Sequence, residues 1–170
     1  MSSKCFIYFI RELKMWFWAF LGMIPGYTGC LIRRVCLNKN AVRLMVWGNV
    51  TIEYTEKLTI GNNVSINRGC VLNCGGGVSI GNNVLIGPGV LIYSQNHNWS
   101  QKYEVICKQG YCKKAVEVED DVWIAAGAKI LPGVRLKKGT VVAAGAIVTK
   151  DTEEYGVYAG IPASLIGKRD

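Results

Sequence analysis

The chain has 170 residues, half of them hydrophobic and 19% charged, which is enough for one compact domain and too apolar for a disordered chain. Twenty glycines against four prolines, with five Trp and eight Tyr, describe a turn-rich body and argue against a helical bundle. The net charge of +8 is uneven: residues 1–43 hold Lys4, Arg11, Lys14, Arg33, Arg34, Lys39 and Arg43 against Glu12 alone, a basic stretch suited to an anionic partner.

The first predicted element is a helix. Phe6, Ile10, Leu13, Phe17, Phe20 and Ile24 recur at intervals of three or four, with Lys4, Arg11 and Lys14 largely off that face. The spacing predicts an amphipathic helix that Pro25-Gly26 ends. Its uncharged stretch, Met15 to Ile24, has ten residues, about half of the roughly 20 that a membrane span needs. The helix is therefore expected to pack on the rest of the chain or to lie on a membrane surface. Without a cleavage signature after it, the expected location is cytoplasmic, with peripheral membrane contact as an option. Residues 1–43 form a basic helical segment in this reading, and residues 44–170 a second unit.

That second unit repeats. Leu58 to Val64 reads LTIGNNV, Val78 to Val84 reads VSIGNNV, and VEVEDDV at Val116 to Val122 is a weaker copy. Aliphatic residues step by six through Ile60, Ile66 and Leu72, then Ile80, Ile86 and Ile92, and then from Val118 through Ile124, Ile130, Leu136 and Val142 to Val148. A second series of small or β-branched residues follows four positions later, as at Val64, Cys70, Val84, Val90 and Ala128. Two inward positions per six residues suit a short strand and a turn, and three such units make one triangular coil. The pattern is that of a parallel β-helix whose stacked coils share one core. A β-sandwich would space its turns about 8–12 residues apart. The 20-residue spacing of the early copies implies a two-residue bulge at one corner, near Thr55 to Lys57 and near Gly75 to Gly77.

One segment breaks the period. Ile92 and Val118 stand 26 residues apart, so Tyr93 to Glu117 is expected to leave the coil as an external loop. It carries the only histidine, His97, within Tyr93-Ser-Gln-Asn-His-Asn-Trp99. Loops on rigid scaffolds commonly carry chemistry, and imidazole exchanges protons near neutral pH. The seven cysteines include no CxxC pair, and with a single His they favour reduced thiols over a zinc site.

The run Val122-Trp-Ile-Ala-Ala-Gly-Ala-Lys-Ile-Leu-Pro-Gly-Val134, with Ala143-Ala-Gly-Ala-Ile-Val-Thr-Lys-Asp151 and Ala159-Gly-Ile-Pro-Ala163, resembles the hexapeptide-repeat O-acetyltransferases of the maltose, galactoside and surface-polysaccharide group. The resemblance covers about residues 46–166. It implies an all-β, left-handed parallel β-helix acting as a homotrimer, an exception to right-handed crossovers. It also implies direct transfer of an acetyl group from acetyl-CoA to a hydroxyl of a sugar or surface-glycan precursor, without a metal. By the same resemblance His97 is the general base and Asn67 an acceptor-binding residue near it. Trp123 borders the acceptor pocket, and the backbone N–H of Ala126 holds the oxyanion. Gly87, Ala126 and Ala144 line up as small positions along the pantetheine arm. Thr149 and Lys150 end the CoA groove, and Lys168 or Arg169 takes the place of the basic residue the family often has just after its final Ile.

Two of these residues also have a plainer reading. Asn67 suits a coil corner, and Trp123 suits outward stacking on the solenoid. Among other functions, acetylation of an amine or amino sugar and a non-catalytic assembly solenoid are the rivals. Zinc-dependent carbonic anhydrase chemistry would need several imidazoles per chain, a Cys-His pair through Cys107 or Cys112 is a minor option, and nucleic acid is not expected as a partner.

Overall fold

The computed structural model describes residues 3–38 and 40–170, without the side chains of residues 3–7 and 11. Phe6, Lys4, Arg11 and Lys39, used above for the helix face and the basic stretch, and Cys5 therefore lie outside the described side chains. From Met45 onward the chain winds into a three-sided prism with one parallel sheet per side. The first face contains Met45–Val46, Ser65–Ile66, Leu85–Ile86, Trp123–Ile124, Val141–Val142 and Gly156–Gly160. An antiparallel seventh strand, Ala163–Lys168, completes it. The second face runs from Thr51–Glu53 to Ile147–Val148 and the third from Leu58–Ile60 to Arg135–Leu136. The six-residue series is what fills the interior: Ile66, Ile86, Ile124 and Val142 stack beneath the first face, and Leu72, Ile92, Ile130 and Val148 beneath the second, all buried. Burial of each is worth about 1.5–3 kcal/mol, but only when another coil covers it, so the coils stabilise one another.

The pitch changes along the solenoid as the spacing requires. Thr51 pairs with Val71 twenty residues on, whereas Glu117 pairs with Arg135 eighteen residues on. The two extra residues are absorbed by a 3-10 turn at Thr55–Lys57 and by a turn through Gly75 to Gly77. At the corner between the third and first faces the Gly-Asn-Asn motif has a position-by-position cause. A β-carbon on Gly61 would lie 2.7 Å from the Gly81 carbonyl oxygen of the next coil. The Asn82 and Asp120 side chains accept from the N–H groups of Asn62 and Asn82, linking successive coils. Asn63, Asn83 and Asp121 adopt φ of 55°, 58° and 60°, a left-handed turn that Asn and Asp tolerate better than most residues.

The N-terminal segment differs from the single helix that the spacing predicts. Helix α1 spans Ser3–Met23, and after Pro25 the chain resumes as α2, Gly26–Asn38. Pro25 precedes α2 at the site where a missing N–H is harmless. The face of α1 turned to the solenoid is also not the expected one: Trp18, Leu21 and Gly22 are buried, whereas Ile10, Leu13, Phe17 and Phe20 are exposed. Side-chain donors on the two helices decide this. Trp18 Nε1 donates to the Val50 carbonyl at 2.8 Å, Arg33 Nε to Val46 at 2.7 Å, and Asn38 Nδ2 to Ile60 at 3.0 Å. These bonds serve three separate stretches of the first coil, whose edge carbonyls have no further coil to pair with. The helices therefore close an open end that would otherwise invite edge pairing.

Arg33 is fully buried and also donates through Nη1 to Leu21 and Ile24 at the C-terminal end of α1. Gly29 makes room for it, since a β-carbon there would come within 2.9 Å of both terminal guanidinium nitrogens. No described helix is long and apolar enough to cross a membrane.

Candidate active site

The excursion leaves the solenoid at the corner after the second face. Its ends are shorter than the spacing suggested: Tyr93 still pairs with Asn73, and Val116 and Glu117 already pair with Val78 and Ser79. Residues 94–115 form the departure itself. Ser94 is buried at its root, donating to the Asn73 carbonyl at 2.7 Å and accepting from Gly76 N–H at 2.8 Å. Gly75 and Gly76 clear the two legs. A β-carbon on Gly75 would collide with Gln95, and one on Gly76 with the Ser94 carbonyl and Lys114 N. The two glycines are visible in the sequence, but their purpose depends on Ser94, Gln95 and Lys114, the two legs of the excursion.

Above this root the excursion folds into an antiparallel hairpin, Gln95–His97 against Tyr111–Lys113. Asn98 closes it, with its N–H on the Gly110 carbonyl and its side chain on Gln109. The Gln109 side chain ties the tip by donating to the Gln101 and Glu104 carbonyls. His97 stands directly opposite Tyr111, with ring centroids 4.4 Å apart and planes at 36°. The imidazole is exposed and has no hydrogen-bond partner among the described residues. Cys112 stands opposite Asn96, one position out of step with His97, and Cys107 lies in the turn at the tip.

A cleft of about 390 Å³ separates the hairpin from the solenoid, with His97, Asn98, Trp99 and Lys114 on one wall and Leu131 and Thr149 on the other. Lys150 follows Thr149 at this corner and is exposed. Within one chain His97, Thr149 and Lys150 thus share the second corner.

Asn67, Gly87, Ala126, Ala144 and Trp123 belong elsewhere. Trp123 is half-exposed on the first face between Leu85 and Val141, and the other four occupy the corner after that face. The register Ile86–Ile124–Val142 puts Gly87 level with Ala125 and Ala143, and Ala126 with Pro88 and Ala144, so Gly87 is one step off the Ala126–Ala144 column. Gly87 nonetheless faces Ala126 closely: a β-carbon at 87 would lie 2.8 Å from Ala126 N. No acceptor for that N–H occurs among the described residues. Lys168 and Arg169 reach the third corner, where Lys168 pairs with Glu153 at 2.8 Å and Arg169 with Asp121 at 2.9 Å. The chain fold does not bring them to Thr149 and Lys150.

The family model "Bacterial transferase hexapeptide (six repeats)" matches residues 115–150. A Saccharomyces cerevisiae protein provisionally named an acetyltransferase is 38% identical over 117 residues, 68% of this chain and 58% of that protein. A Staphylococcus aureus 2,3,4,5-tetrahydropyridine-2,6-dicarboxylate N-acetyltransferase is 59% identical over 51 residues, 30% of this chain and 21% of that protein. The chain thus spans a little over half of the first relative and about a fifth of the second. Among solved structures, a maltose O-acetyltransferase from Clostridium difficile superimposes with a TM-score of 0.82 at 26% identity, covering 94% of this chain and 86% of that one. A galactoside acetyltransferase in complex with coenzyme A gives 0.79 at 25% identity, covering 93% and 80%.

Proposed function

We propose that this chain, which carries a hexapeptide-transferase match over residues 115–150 and shares the β-helical fold of hexapeptide-repeat acetyltransferases, transfers an acetyl group from acetyl-CoA to a hydroxyl of a sugar or glycan precursor. The observation that carries the proposal is a single imidazole, His97, held on a rooted hairpin over a cleft that Thr149 lines. His97 takes the proton of the acceptor hydroxyl as that oxygen attacks the thioester carbonyl. The tetrahedral oxyanion is held by the Ala126 N–H, and collapse expels the CoA thiolate, which recovers the proton from the imidazolium. A positioned base supplies roughly 10²–10⁴-fold and one oxyanion donor roughly 10²–10³-fold. With both substrates oriented in one groove, no covalent acyl-enzyme is needed.

The separation of His97 from Asn67, Trp123 and Ala126 supports a homotrimer with sites between subunits. The second face lies between the two corners in one chain. A neighbour related by a threefold axis sets its first corner against this chain's second, closing the ring with three identical sites. In that arrangement Lys150 lies toward the phosphates of CoA, and Asn67 and Trp123 toward the acceptor. Lys168, held by Glu153, keeps a cofactor role only by exchanging that partner for a phosphate.

Acetylation of an amine is the second reading, favoured by the 59% identity to the staphylococcal N-acetyltransferase. The test is free-thiol release from acetyl-CoA with a panel of mono- and oligosaccharides beside amines and amino sugars. Turnover with a glycan and none with amines is expected. His97→Ala should lose at least about two orders of magnitude in rate while retaining CoA binding. Unchanged turnover in that variant overturns the role of His97, and turnover with amines alone overturns the acceptor class.

A further inference from the structure

Terminal caps of solenoids ordinarily show a polar outer side to water. The helical cap of this chain does the reverse. With residues about 100° apart around a helix, Phe9, Leu13, Trp16, Phe20 and Met23 fall on the side of α1 opposite the buried Trp18, Leu21 and Gly22. All five are exposed, Trp16 and Met23 at 76%. Glu12 is the only acidic residue in either helix, and residues 1–43 carry six of the chain's eight net positive charges. Arg33 is buried among carbonyls, but Lys14 and Arg43 are exposed.

We propose that this outer side of α1 docks on the surface of an anionic lipid bilayer, with the helix lying in the interface. Three observations support lipid. The side is contiguous over four turns and rich in aromatics, which settle at the level of lipid headgroups. The segment as a whole carries a net +6, which an anionic leaflet attracts through its long-range field, weakened by salt, while Lys14 falls on the inner side of α1 near Leu21 and Glu12 borders the outer one near Met23. The cap is also fixed to the solenoid through Trp18, Arg33 and Asn38 on its inner side, so docking requires no unfolding of the edge it protects. No described residue of α1 lines the cleft beside His97.

The test uses the full chain with sedimenting vesicles of phosphatidylcholine alone or mixed equally with phosphatidylglycerol. The comparison is with the triple variant Phe9→Ser, Trp16→Ser, Phe20→Ser, which leaves every cap hydrogen bond in place. Wild type is expected to pellet with the mixed vesicles, less so with phosphatidylcholine alone or in high salt. The variant should partition at least about tenfold less, given the transfer free energy of three large apolar side chains, with an unchanged thermal midpoint. Wild type left in the supernatant with both vesicle types overturns the proposal. So does a variant that binds as wild type does, or one whose oligomer mass falls in the absence of lipid, which assigns the face to a second copy.

Discussion

Replacing Arg33 with methionine tests whether the helical cap is held by polar bonds or by apolar contact. The guanidinium donates to Val46, Leu21 and Ile24 at 2.7, 2.5 and 3.1 Å. Hydrogen bonds from a charged donor are worth about 1.5–3 kcal/mol each, and a buried acceptor left without a partner costs about 1–3 kcal/mol. Burying the guanidinium itself costs several kcal/mol, which methionine avoids. Ile24 is half-buried and water can reach its carbonyl, so the Leu21 and Val46 carbonyls dominate. Arg33→Met should therefore lose about 3 kcal/mol, a large share of the roughly 5–15 kcal/mol that stabilises an ordinary domain. Both α-helices lie within residues 3–38, so ellipticity at 222 nm follows the cap almost selectively during urea unfolding. Arg33→Lys, which cannot span three acceptors, should fall between the two. Gly29→Ala should also destabilise the cap, because its β-carbon would lie 2.1 Å from the Ile24 carbonyl oxygen as well as against the guanidinium. A helical signal that melts within about 1 kcal/mol of wild type in Arg33→Met would refute this account and leave Trp18 and Leu21 as the true anchors.

At the corner assigned to the oxyanion, Gly87→Val should reduce turnover at least about tenfold with a smaller change in stability, since its side chain meets the Ala126 backbone. Wild-type kinetics in that variant would remove Ala126 from the mechanism. Acid should loosen the C-terminal strand. The hydrogen bond from Lys168 holds the Glu153 carboxyl below its usual 4.5, so the stabilisation is present above that value and disappears as pH falls through the lowered one. The same pair raises Lys168 above 10.5, so it is also lost as pH rises through that higher value. Protection of the amides of residues 163–168, taken relative to their intrinsic exchange rate at each pH, should fall at both ends of the range, less visibly in high salt, and Lys168→Met should flatten the profile. Thiol labelling of the native chain at pH 8 should reach Cys36 and Cys107, which are exposed, and spare Cys70 and Cys74. Burial, aided by the Glu53 and Glu56 carboxylates, pushes the Cys74 thiol up to about 12. Rapid labelling of Cys74 without denaturant would show that the early coils open.

The solenoid was legible from the sequence because each coil position is determined locally and then repeated. Ile86 is buried for the same reason as Ile66 and Ile124, and the Asn-Asn corner needs a left-handed residue and a coil-linking acceptor wherever it occurs. The excursion and its histidine were legible as the place where that period fails. Periodicity could not orient α1, because the helix is apolar around most of its circumference. Trp18, matched to the Val50 carbonyl, selected the buried side of α1, while Arg33 and Asn38 fixed α2 to Val46 and Ile60 of the same coil. The second helix also escaped notice, since its buried contact centres on an arginine that sequence patterning assigns to solvent.

The arrangement of the site depended on tertiary structure for a different reason. A six-residue repeat says which residues share a corner, but two-residue bulges and an excursion shift the count. Only the pairing of Ile86 with Ile124 showed that Gly87 stands level with Ala125. The repeat itself sets Asn67 after Ile66 and His97 beyond Ile92, at successive corners, but only the closed prism showed the cleft that His97 shares with Leu131 and Thr149. Sequence determined what repeats, because burial within a coil is a local property. The fold determined what meets, because contacts between distant segments depend on how many residues each turn of the coil consumes.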